Sequence, residues 1–103
     1  MIATAANALT ELFEHAKDTL SDEKLDWLAG LDSVAECEST NISMTLINLA
    51  IAQGSEDRST LPNSSQLAAI LFGLSAQVEM MSALSSVSSE AAYILAQKAK
   101  SQA

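Results

Sequence analysis

The stretch Ser21 to Glu38, SDEKLDWLAGLDSVAECE, gathers Asp22, Glu23, Asp26, Asp32 and Glu36 around a short row of Leu, Trp and Val. Carboxylates at such spacing can hold a cation, trade protons with a substrate, or dock on a basic surface. The first two uses need company that this chain does not provide. His15 is the only histidine, with Glu11 and Glu14 beside it, and a di-metal carboxylate bundle needs paired Glu-x-x-His spacings that are missing here. His15 instead sits four residues from Glu11, the spacing of a helical surface pair. Cys37 has no second cysteine and stands between Glu36 and Glu38, a poor setting for a thiolate nucleophile; it reads as a small buried hydrophobe. There is no Gly-rich phosphate loop, no Gly-x-Ser-x-Gly elbow and no calcium-loop pattern. We therefore expect no catalytic residue, no metal ligand and no cofactor, and binding is the chemistry left.

If the helix that starts after Ser21 continues through Gly30, a helical wheel puts Asp22, Asp26, Asp32, Ser33 and Glu36 around Ala29, opposite Leu28 and Leu31. Asp22 with Asp26 and Glu14 with Asp18 are like-charge pairs at four-residue spacing, which weaken a helix slightly. Such a face is either solvated surface or a docking site for a basic patch on a partner protein. Trp27 borders it and would be the anchor, because exposed aromatic rings carry a large share of binding energy. The partner-binding candidates are Asp22, Glu23, Asp26, Trp27, Asp32 and Glu36. In a sharper version, the carboxylates imitate the phosphate array of a nucleic acid and block a nucleic-acid-binding protein. That would be similar in type to acidic phage- or prophage-encoded inhibitors of host defence, anti-CRISPR proteins among them.

The segment GLDSV, Gly30 to Val34, resembles the DSL motif of acyl carrier proteins, small acidic helical domains in which a serine at a helix start bears a phosphopantetheine arm. The resemblance covers about five residues and implies Ser33 as the modified serine. Val34 stands where the family has Leu, and the long apolar pattern after Leu67 is unlike that family's short final helices.

Composition sets the frame. The chain has 103 residues, enough for one domain. The hydrophobic fraction is 49% but only 4% of residues are aromatic, so each buried side chain contributes little area and self-association would make up the shortfall. Three Gly and one Pro leave few breaks or turns, which favours an all-α fold. The net charge of -8 repels phosphate backbones and anionic membrane surfaces, so neither direct nucleic-acid binding nor membrane association is expected. The N-terminus MIATAANALTELFEHAK has no basic region and meets Glu11 early, unlike a signal peptide. With its lone cysteine this points to a soluble, cytoplasmic protein.

The elements follow from periodicity. Ile2, Ala5, Ala6, Leu9, Leu12, Phe13, Ala16 and Leu20 recur at three- and four-residue steps, predicting a first helix from about Ile2 to Leu20. Ser21 offers an N-cap oxygen and Asp22 and Glu23 suit a helix start, so a second helix carries Leu25, Leu28 and Leu31 inward with Trp27 on the flank. Gly30 marks a kink or a stop. A third helix, starting between Asp32 and Asn41, turns Val34, Cys37, Ile42, Met44, Leu46, Ile47, Leu49 and Ile51 to a core and stops near Gly54. Residues 54–63 form a loop. Asn63 and Gln66 fit a capping box, and the helical beat then runs almost to the C-terminus, interrupted only by SALSSVSSE, where Ser88 or Ser89 could cap a new helix. The expected architecture is a single all-α domain over residues 1–103, a small bundle of three to four helices with a long C-terminal helix. So long a helix needs cover along its whole stripe, and a homodimer seam through Leu74, Val78, Met81 and Leu84 would supply it.

Overall fold

A computed structural model describes residues 3–57, 59 and 61–102. They form four helices and no strand: α1 (Ala5–Ala16), α2 (Asp22–Ala29), α3 (Leu31–Gly54) and α4 (Ser64–Gln102). The fold is all-α, and α4 is the spine against which α1, α2 and α3 each pack.

Local chemistry explains most of the helix ends. Thr4 opens α1 by accepting a hydrogen bond from the Asn7 N–H at 3.1 Å. The helix is therefore shorter than expected at both ends: Ile2 lies outside the described residues, and the Thr19 hydroxyl donates to the Ala16 carbonyl where the helix stops. Leu20 leaves the helix but still packs against the core. Ser21 caps α2 as the sequence suggests, accepting from the Lys24 N–H at 3.2 Å. At the start of α4, Asn63 and Gln66 form a reciprocal capping box, with bonds of 2.8 and 2.9 Å.

Gly30 stops α2, and α3 begins at the next residue, just ahead of the expected range. Its backbone stays right-handed, φ -78° and ψ -4°, so the left-handed freedom of glycine is not used. Space is the better reason for glycine: an added Cβ would lie 3.3 Å from the Trp27 carbonyl oxygen. Gly54 likewise ends α3 without a positive φ.

The core lies at one end of the molecule. Phe13 of α1, Leu25 of α2, and Val87 and Ala91 of α4 form its centre, flanked by Leu9, Leu20, Leu28, Leu31, Ile94 and Leu95. Three polar contacts fasten this head. Lys17 bridges Glu14 and Glu90 at 2.8 Å each; Lys98 meets Asp22 at 2.9 Å; and the buried Ser88 hydroxyl donates to the Ala29 carbonyl at 2.6 Å. The last contact decides whether the final helix breaks at its serines. Ser88 does not cap a new helix; it closes the end of α2 while α4 runs unbroken for 39 residues.

Beyond the head, α3 and α4 continue alone as an antiparallel hairpin. The molecule measures 65 × 27 × 14 Å with a radius of gyration of 18.6 Å, against about 13 Å for a compact domain of this length. Met44, Leu46, Ile47 and Ile51 of α3, expected to face a core, are instead half or more exposed. Cys37 is also exposed, which corrects its reading as a buried hydrophobe. By length and composition α4 is apolar enough to cross a membrane.

Candidate protein-docking surface of the helical head

Asp22, Glu23, Asp26, Trp27, Asp32 and Glu36 are all exposed, but they do not form one continuous face. The break at Gly30 assigns Asp22, Glu23, Asp26 and Trp27 to α2 and Asp32 and Glu36 to α3. Asp22 is occupied by its ion pair with Lys98. Asp32 and Glu36 border a different feature, an open groove of about 700 Å³ between α3 and α4 whose far wall includes Ser82, Ser85, Ser86 and Ser89. The Ser33 hydroxyl donates to the Gly30 carbonyl at 2.9 Å in the first turn of α3, as an ordinary helix-start serine does.

Trp27 is 69% exposed, and so is Leu12 of α1. Between them runs a cleft of about 250 Å³, lined by Leu9, Phe13, Ala16, Leu20 and Leu28 together with Val87 from α4 and the Lys24 side chain. Its walls are almost wholly apolar. The wheel of α2 sets Trp27 between Lys24, which faces the cleft, and Glu23, with Asp26 further round toward solvent. On α1 the residue before Leu12 is Glu11, whose carboxylate binds His15 Nε2 at 3.0 Å, the pairing that four-residue spacing suggests. The result is an apolar slot whose one charged lining residue is Lys24.

Sequence reasoning found Trp27 but missed Leu12, which it placed in the core stripe of the first helix. The wheel cannot distinguish a residue that reaches the spine from one that overhangs it, because α1 meets only α4 closely and its neighbour α2 is a mere two turns long. Of the residues expected at a dimer seam, Leu74 and Leu84 are buried within the chain, Met81 is half-buried, and Val78 is exposed. Among the described residues no group of three or more His, Cys, Asp or Glu side chains could hold a metal ion.

No family model matches the chain, and no curated protein or solved structure matches it.

Proposed function

We propose that this protein acts by binding another protein, with the Trp27–Leu12 slot as the contact site and Glu23 beside Trp27 on the surface of α2. The observation that carries this reading is the pair of large apolar side chains, each 69% exposed, on either side of an apolar cleft in a chain whose net charge is -8. Water-exposed Trp and Leu cost free energy that a partner recovers by covering them. The matching partner surface is one or two apolar side chains flanked by Lys or Arg, as on one face of a basic amphipathic helix. The carboxylates would speed and orient the encounter, and Trp27 would supply most of the affinity.

A nucleic-acid mimic finds less support in this geometry. Its carboxylates should track a rod, whereas here they divide between two helices and Asp22 is already paired with Lys98.

Site-specific photo-crosslinking in native cells tests the reading. A photoreactive residue at Leu12 should yield one discrete adduct, the same residue at the exposed Gln97 should not, and Trp27→Ala should reduce the Leu12 adduct at least tenfold. Indiscriminate crosslinking from both positions, or an adduct indifferent to Trp27→Ala, would remove the slot as the site.

A further inference from the structure

In the distal α3–α4 hairpin, Leu49 marks the seam between the helices. It lines a groove with Ile70 on one side of the two-helix layer and a groove with Leu67 on the other, so Leu49 faces α4 and Ile70 faces α3. A turn of about 100° per residue then fixes the four sides of the layer. Met44, Ile47 and Ile51 lie about 140–160° from Leu49, on the outer edge of α3, and Phe72 lies about 160° from Ile70, on the outer edge of α4. Leu46, Leu67, Leu71 and Val78 share a third side. All these apolar side chains are 40–78% exposed.

The fourth side is different. Thr45 and Asn48 of α3 and Gln66 of α4 line its groove, and Asn41 falls on the same side of the wheel. On the leucine side the groove has one polar lining residue, Gln53, next to the turn. From Ser39 to Ser55 and from Ser59 to Val78 there is no charged side chain. Large apolar groups thus occupy three sides of an uncharged layer and amides the fourth.

This distribution selects the occupant. A folded partner docks on one side, and the two outer edges point in opposite directions; an apolar fluid covers both together with the leucine side. The core helix of a globular protein is covered by its own chain, whereas an 18-residue stretch of α4, apolar enough to cross a membrane, is only 11% buried. Crossing would still drag Glu56 and Asp57 of the turn through hydrocarbon and strip water from the amides. Lying flat avoids both costs. We infer that the distal hairpin lies in the surface of a lipid bilayer, leucine side down, with its two outer edges at the boundary between acyl chains and headgroups and Asn41, Asn48 and Gln66 toward water. The net charge of -8 speaks against anionic membranes, but the hairpin carries none of it along the stretches that would touch lipid. The fitting lipid is therefore zwitterionic, and anionic headgroups would repel the acidic head. This contact lies away from the Trp27 slot and stands independently of it.

Flotation of the chain with phosphatidylcholine vesicles tests the inference. The chain should rise with the vesicles equally at about 0.1 and about 1 M salt, because the contact is apolar, and should rise less with phosphatidylglycerol vesicles at the lower salt. Ile47→Glu and Phe72→Glu, on opposite edges, should each reduce binding at least tenfold at unchanged helicity by circular dichroism; if either loses helicity, serine replaces glutamate there. Asn48→Ala, on the amide side, should bind no less than the wild type. Brominated acyl chains should leave the fluorescence of Trp27, the only tryptophan, unquenched, because the head stays in water. A chain left behind by phosphatidylcholine vesicles, edge variants that float like the wild type, a quenched Trp27, or a stable oligomer in water that does not float would overturn the proposal.

Discussion

Ser88, in the middle of α4, donates its hydroxyl hydrogen to the carbonyl of Ala29, the last residue of α2, at 2.6 Å. The final carbonyls of a helix have no partner within it. At Gly30 the chain turns at once into α3, leaving no room for a separate capping turn, and a side chain from the spine does the work instead. Among the described residues Ser88 is the one buried polar side chain, so the head depends on this bond being made.

Replacing Ser88 with Ala should therefore cost about 1–3 kcal/mol, the penalty for stranding a buried acceptor. Ser89→Ala, one residue further on and exposed, should change stability by less than about 0.5 kcal/mol. Urea unfolding followed by circular dichroism compares the two, and equal midpoints would mean that the Ser88 bond contributes nothing.

The Lys17 bridge predicts an asymmetric pH profile. Hydrogen bonding to Lys17, and then to Glu90, holds the Glu14 carboxyl below its ordinary value; hydrogen bonds to Glu14, and then to Glu90, raise the Lys17 ammonium above its own. A depressed acid stabilises the fold above the ordinary carboxylate range, and that contribution is lost as pH falls through the lowered value. A raised lysine stabilises fully below its ordinary value of about 10.4 and loses the contribution as pH rises through the raised one. Stability should thus be level near neutrality and fall on acidification below about pH 4.5. Lys17→Met should lower the neutral plateau and merge with the wild type in acid, which urea midpoints at several pH values will show.

Cys37 is exposed on α3 and is the only cysteine. A thiol reagent such as Ellman's should titrate one thiol per folded chain without denaturant, at a rate that urea raises less than about tenfold. Reaction only after unfolding would show that Cys37 is covered in solution.

Gly73 lies inside α4, and a Cβ built there meets nothing within 4 Å. Glycine in a helix interior costs up to about 1 kcal/mol relative to alanine, so Gly73→Ala should raise the thermal midpoint. A destabilised Gly73→Ala would instead reveal a close neighbour at that point of the helix.

What the amino-acid order by itself determined is the local structure. The helical period, the caps at Ser21 and Asn63, a kink or stop at Gly30 and the His15–Glu11 pair all depend on residues within four positions of one another, where spacing dictates geometry. The same rules overextended α1, because they read Leu20 as helical from its period alone. Which apolar stripes are covered was settled only in three dimensions. Leu25 and Val87 meet because α2 folds back on α4, whereas Leu12, Trp27, Ile47 and Leu71 have equally regular spacing and no helix opposite them. Ser88 shows the point most plainly: its neighbours in sequence suggest a cap, and its partner is 59 residues away. A periodic pattern states that a side chain would gain by leaving water; only the packing of one helix against another decides whether it does so within its own chain or waits for another.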